Sequence, residues 1–181
     1  MRRTLLLIFL LTGFALASRA QTAAEGTSPA LFSVGVDVGS ALSPTNATFA
    51  ATTALSLKLE LPFSNPRAFF TVSAAYTNYS TKNTPATDTL QNGHFLPLMI
   101  GFKYFVAKHV FLEGDVGDSY NINQTYFGYQ NAFAFSPVVG VSIPLSKPNT
   151  FVDISAYYQS RLSNYGNINE AAVRVAYKFG L

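Results

Sequence analysis

The chain has 181 residues, no cysteine, 12 Lys and Arg, nine Asp and Glu, and only 12% charged residues, about half the roughly 25% usual in soluble domains. The lack of cysteine excludes disulfides, thiol catalysis and a lipidated N-terminal Cys. Three of the bases (Arg2, Arg3 and Arg19) sit in the first twenty residues, so the remainder is neutral and the pI of about 9.2 is no argument for nucleic acid or anionic lipid.

In chain order, Arg2 and Arg3 open a basic segment, Leu5 to Ala17 follow as an apolar run, and Ser18-Arg19-Ala20 places small residues ahead of Gln21. That order predicts a secretory signal peptide, residues 1–20, cleaved after Ala20, with one mature domain over 21–181. A membrane anchor is the alternative, but the run contains Thr12 and Gly13 and is shorter than the ~20 apolar residues that span a bilayer.

Gln21 to Ala30 is a polar lead-in, after which one pattern recurs: apolar and small or polar residues alternate with period two, the signature of a strand with two unlike faces. The first strand sets Phe32, Val34, Val36 and Val38 against Ser33, Gly35, Asp37 and Gly39, and Ser43 to Thr48 breaks it. The second sets Leu55, Leu57, Leu59 and Leu61 against Ser56, Lys58 and Glu60, and Pro62 to Arg67 forms a short turn. The third sets Phe70, Val72, Ala74 and Tyr76 against Thr71, Ser73, Ala75 and Thr77, followed by a long polar segment from Asn78 to Gly93.

The fourth carries Leu96, Leu98, Ile100, Phe102 and Tyr104 opposite Pro97, Met99, Gly101 and Lys103, and Val106 to Lys108 is a tight link. The fifth carries Val110, Leu112, Gly114 and Val116 opposite Phe111, Glu113, Asp115 and Gly117; Asp118 to Gln130 then reads as a second long loop. The sixth runs from Phe133 to Ile143, and Ser146 to Asn149 is a short turn. The seventh sets Val152, Ile154, Ala156 and Tyr158 against Asp153, Ser155, Tyr157 and Gln159, and Arg161 to Asn167 leads to the last strand. That strand alternates from Glu170 to Leu181.

The connections run long, short, long, short, long, short and then intermediate, as expected of an all-β, eight-stranded antiparallel up-and-down transmembrane β-barrel whose N-terminus lies inside. Pro97 and Pro137 cannot donate an amide to a closed sheet, and local bulges are expected there. A soluble, lipocalin-like barrel binding an apolar ligand shows the same alternation, with its apolar face turned inward. The second face here is mostly Gly, Ala and Ser with single charges, which suits a confined lumen, whereas the apolar face is bulky Leu, Val and Phe, which suits lipid. Phe179 and Leu181 at one end, with Tyr76, Phe133 and Tyr158 at the other, fit interfacial belts. The lumen would then hold Asp37, Lys58, Glu60, Lys103, Glu113, Asp115, Asp153, Glu170, Arg174 and Lys178, an acid–base network that fills it in preference to an ion path.

Four stretches carry a family resemblance: Phe95-Leu-Pro-Leu-Met-Ile-Gly-Phe-Lys-Tyr-Phe105, Phe111-Leu-Glu-Gly114, Ser136-Pro-Val-Val-Gly-Val141 and Val173-Arg-Val-Ala-Tyr-Lys-Phe-Gly-Leu181. Together they make the mature chain resemble the small eight-stranded outer-membrane β-barrel proteins common in Bacteroidetes, often labelled porin-family or outer membrane protein beta-barrel domain. The resemblance implies that fold and an outer-membrane address, with outer-membrane lipid and the barrel-insertion machinery as partners. It implies no shared activity. The terminal residue read by that machinery is usually aromatic; here it is Leu181, with Phe179 two residues before it.

Chemistry-bearing residues are few. His94 and His109 fall at opposite ends of the barrel and cannot share a metal. His94 with Asp88 and Ser80 is the sole rim set resembling a catalytic group, and a solvated polar loop is the expected reading. Asn46, Asn78 and Asn123 begin N-glycosylation patterns, and Asp88-Thr89-Leu90 resembles an O-glycosylation tripeptide of Bacteroidetes. No catalysis, cofactor, metal or nucleic-acid partner is expected. The expected role is structural or surface-interactive, with Tyr120, Tyr126, Phe127 and Tyr129 as loop contacts for an extracellular partner. A narrow ion or small-solute channel is the alternative.

Overall fold

The alternation becomes eight antiparallel strands in the computed structural model, which describes residues 29–82, 92–123, 130–163 and 166–181. They are β1 (Leu31–Leu42), β2 (Phe49–Pro62), β3 (Ala68–Thr81), β4 (Gly93–Phe105), β5 (Val110–Asn121), β6 (Asn131–Pro144), β7 (Thr150–Leu162) and β8 (Ile168–Gly180). Each strand pairs with its sequence neighbours, and β8 closes on β1 with Val36 opposite Val175 and Asp37 opposite Arg174. The sheet therefore has no free edge, and backbone polar groups are satisfied between strands. The first and last described residues, Pro29 and Leu181, and the turns 63–67, 106–109 and 145–149 share one end, called here the terminal end. Connections 43–48, 82–92, 122–130 and 163–167 share the other, the loop end.

The strands are 12 to 14 residues long, longer than the sequence segments suggested. β3 runs on to Thr81, β5 to Asn121 and β7 to Leu162. The segments read as loops, Asn78–Gly93, Asp118–Gln130 and Arg161–Asn167, shrink accordingly. Polar residues inside a barrel look like loop composition, although period two continues through them. The connection after β1 holds a single 3-10 turn, Thr45–Ala47.

The proline bulges are corrected. β4 pairs with β3 from Ala68–Tyr104 to Ala74–Leu98, pauses, and resumes at Thr77–Phe95 in unchanged register. Pro97 keeps its place opposite Ser119 of β5; two residue pairs, those of Ala75 and Tyr76, are missing on the β3 side, and no residue is inserted. Pro137 does the same: it stays opposite Gly114 of β5, while the β6–β7 ladder skips from Phe135–Ser160 to Val138–Tyr157. A register shift does occur in β2, between Phe49 and Ala51.

The two faces are sharply divided. Val36, Val38, Leu55, Leu57, Ile100, Leu112, Val139, Val173 and Val175 are exposed on the outside, whereas Ser33, Ser56, Thr71, Ser119, Ser136 and Ser155 are buried within. An apolar ligand-binding barrel requires the reverse, which removes the lipocalin-like alternative. Among the described residues, no helix is long and apolar enough to cross a membrane; the apolar surface belongs to strands. Buried apolar residues cluster at the loop end, where Ala41, Phe49, Tyr79, Phe95 and Ile168 meet inside the barrel.

Candidate functional site

The lumen is where the chain places its charges. All ten residues Asp37, Lys58, Glu60, Lys103, Glu113, Asp115, Asp153, Glu170, Arg174 and Lys178 are buried there, each at most 8% exposed. Each follows from strand parity, because inward positions recur every second residue. A lone charge in that setting is very costly, and the side chains meet in three layers.

Nearest the terminal end is a closed ring of four. Lys103 donates to Glu60 Oε1 (2.7 Å) and Asp153 Oδ2 (2.8 Å), and Lys178 donates to Asp153 Oδ2 (2.9 Å) and Glu60 Oε2 (3.4 Å). Ser142 Oγ adds a bond to Asp153 Oδ1 at 2.6 Å. The ring spans β2, β4, β7 and β8, which are not all neighbours, so it braces the barrel across its width. Aromatic rings seal it: Lys103 Nζ lies 3.8 Å from the Phe111 centroid, and Lys178 Nζ 5.1 Å from that of Phe151.

The middle layer has two parts. Lys58 pairs with Glu113 and lies 3.8 Å from Asp115, whose Oδ1 also accepts from Thr71 Oγ1 at 3.1 Å. Gly101 makes room for that carboxylate, since a Cβ there would collide with Asp115 and Thr71. Asp37 accepts from Ser56 Oγ (2.9 Å) and Tyr157 Oη (3.1 Å), with Arg174 Nε at 3.8 Å and the Arg174 guanidinium also donating to Ser33 Oγ at 3.3 Å. A chamber of about 50 Å³ beside these groups has room for a few waters.

The loop-end layer contains residues that the sequence reading missed. Arg161, assigned there to a connection, is completely buried in β7. Its Nε donates to Ser119 Oγ (3.0 Å), one terminal nitrogen to Tyr79 Oη, and the other to Glu170 Oε1 (3.3 Å). The guanidinium carbon lies 5.3 Å from the Tyr79 ring and 5.1 Å from that of Phe95, so a cation is held between aromatic faces. Phe49 and Phe95 contact Tyr79 edge-on at 5.7 Å and 5.3 Å. The signal for Arg161 and Tyr79 was present: Asp153, Ser155, Tyr157, Gln159 and Arg161 form one parity series, as do Thr71, Ser73, Ala75, Thr77 and Tyr79.

Other singled-out residues are dispersed. His94 stacks on Tyr76, whose hydroxyl lies 3.0 Å from Nδ1; Ser80 instead accepts from Asn78 at 3.5 Å, and Asp88 and Thr89 lie outside the described residues. His109 is at the terminal end. Among the described residues, no three His, Cys, Asp or Glu side chains are grouped to hold a metal. Tyr120 is on the outer face of β5, not in a loop, and is exposed; Tyr126, Phe127 and Tyr129 lie outside the described residues, as does the leader 1–20. The terminal end opens as a mouth of about 630 Å³ lined by Arg67, Phe69, Phe105, Lys108 and Phe151.

The sequence matches no family model, and no curated protein matches it significantly. Solved structures do match. Neisserial surface protein A (NspA) aligns over 87% of this chain and 100% of its own, with a TM-score of 0.60 and 14% identity. Ail, the attachment invasion locus protein of Yersinia pestis, aligns over 84% of this chain and 99% of its own, with a TM-score of 0.53 and 15% identity. The Ail backbone in a phospholipid bilayer nanodisc aligns over 83% and 99%, with a TM-score of 0.54 and 16% identity. The shared property is the fold, a closed eight-stranded transmembrane β-barrel.

Proposed function

We propose that the chain is an exported, integral outer-membrane barrel with a structural or surface-interactive, non-catalytic role, and that its lumen is a brace and not a transport path. The observation carrying this reading is the double closure of the lumen, by the Glu60–Lys103–Asp153–Lys178 ring at one end and by Arg161 with Tyr79, Phe95 and Phe49 at the other. Ion pairs among buried groups hold distant strands together, and each cation of the two closures already has a carboxylate partner within the barrel. The exposed apolar belt supports the membrane setting. The names of the fold neighbours, a surface protein and an attachment protein, support a task at the loop end. The stretches resembling porin-family barrels of Bacteroidetes lie in β4, β5, β6 and β8, and support membership of that group without supporting a pore.

The loop end offers segments 82–92 and 122–130 to a partner, with Tyr126, Phe127 and Tyr129 as candidate anchors and Tyr120 at the edge of the lipid zone. The test combines gel mobility and conductance. The mature protein, expected by mass spectrometry to begin at Gln21, should run faster folded in detergent than after boiling. In planar bilayers it should show no steady large conductance. Such a conductance, persisting after both loops are shortened, would replace this reading with the channel.

A further inference from the structure

Eleven charged residues lie inside the lumen: the ten above and Arg161. The remaining bases are distributed unevenly. Arg67, Lys108 and Lys147 sit one to each turn of the terminal end, all exposed, and those turns contain no acid. The four loop-end connections carry one base and one acid, Lys82 and Asp88. Arg67, Lys108 and Lys147 make no ion pair among the described residues. His109 stands beside Lys108 in the second of these turns.

Each turn repeats one device. It opens with an exposed apolar residue, Phe63, Val106 or Leu145, at 48, 48 and 42% exposure, and carries its base two to four residues on. Backbone bonds clamp each turn: Phe63 N to Ala68 O (3.0 Å), Ala107 N to Val110 O (3.3 Å) and Leu145 N to Thr150 O (2.8 Å). Asn65 Oδ1 accepts from Arg67 N at 2.9 Å, and Thr150 Oγ1 donates to Lys147 O at 2.8 Å. The bases are therefore presented from rigid hairpins. Arg67 and Lys108 border the mouth described above and so stand on the rim between lumen and lipid; an apolar side chain at the edge of a lipid-facing belt with a cation just beyond it matches an acyl chain followed by a phosphate.

From this we infer that the terminal end is a ring of headgroup sites for anionic glycerophospholipid, in which Arg67, Lys108 and Lys147 bind lipid phosphates and Phe63, Val106 and Leu145 rest on the acyl boundary. The inference rests on the barrel lying in a bilayer as proposed above, and it assigns the terminal end to a phospholipid leaflet. An electroneutral lipid surface would offer these three turn cations no anionic headgroup. The loop-end connections, with one base and one acid, carry no such excess of cations.

The experiment folds the mature barrel into vesicles of phosphatidylcholine and into an equal mixture with phosphatidylglycerol. Heat-dependent gel mobility scores folding in both, and native mass spectrometry of barrels released from the mixture counts retained lipids. Phosphatidylglycerol should be retained above its share, by about fivefold per engaged base, the factor equivalent to ~1 kcal/mol for a Lys or Arg near an anionic surface. The variant Arg67→Gln/Lys108→Gln/Lys147→Gln should fold equally well in phosphatidylcholine and retain the two lipids in proportion, whereas Lys82→Gln should behave as wild type. Equal enrichment in wild type and triple variant, or an equal loss with Lys82→Gln, would overturn the ring while leaving the barrel standing. Failure to form a heat-modifiable species in either vesicle would overturn the membrane reading and the ring with it.

Discussion

Arg161 has no solvent exposure and distributes its guanidinium over Ser119 of β5, Tyr79 of β3 and Glu170 of β8. Removing one partner of such a buried pair leaves the other charge uncompensated, at about 3–5 kcal/mol. Arg161→Met should therefore destabilise the folded barrel by that amount in urea titrations on lipid vesicles. Adding Glu170→Gln should recover part of the loss, because the stranded carboxylate is then gone; strictly additive losses would show that the two are not coupled. On the outer face the same residue type acts in reverse. Leu57 and Val175 face outward near the middle of their strands, so Leu57→Arg or Val175→Arg should each cost about 2–4 kcal/mol in bilayers, a cation having been placed against mid-membrane lipid. Ser56→Thr faces the lumen and keeps the hydroxyl that bonds Asp37, so it should cost much less; an equal cost would contradict the assignment of faces.

Strands in this barrel tolerate local defects because each is held on two sides. Pro97 lacks an amide towards β3 but remains in register with β5, and β3 and β4 pair again at Thr77–Phe95. Pro97→Ala restores a donor at a position already aligned with Ala75. Its new amide should be as protected from hydrogen exchange as the neighbouring rungs, with no change in chemical shifts that would report a register slip. A freely exchanging amide at 97 would mean that the strands diverge there. The strand ends follow the same logic. Tyr79, Ser119 and Arg161 extend β3, β5 and β7 beyond the apolar belt because their inward side chains find one another, and the ladder follows the side chains.

At the scale of the molecule, the two closures act in series. The ring at Lys103 and the plug at Arg161 lie at different depths, with the 50 Å³ chamber near the middle layer. Opening one should leave the other shut. Tyr79→Ala/Phe95→Ala alone, or Lys103→Ala/Phe111→Ala alone, should give no more conductance in planar bilayers than wild type. The four substitutions together should give discrete current steps, provided that gel mobility shows a folded barrel. Steps from either pair alone would mean that a single constriction controls the lumen. The network also couples strands remote in sequence: Lys58 of β2 reaches Glu113 of β5, and Lys103 of β4 reaches Asp153 of β7. The barrel should therefore unfold as one unit.

The number of strands, their order and the direction of each face could be read from the sequence alone, because alternation is a local property and every inward charge on the ten-residue roll shares its parity with small neighbours. Strand ends could not be read this way. Asn78 to Thr81 and Asp118 to Asn121 have the composition of loops, and only closure of the barrel makes their inward positions a buried polar interior. Nor could the pairing be read. Glu60 shares a strand with Lys58, yet its cations are Lys103 and Lys178, while Lys58 turns to Glu113. Arg161 gains its role from Tyr79 and Phe95, on strands far from it in the chain. Parity determines which side of the sheet a residue occupies, but the curvature that closes the sheet decides which side chains come within bonding distance across the lumen.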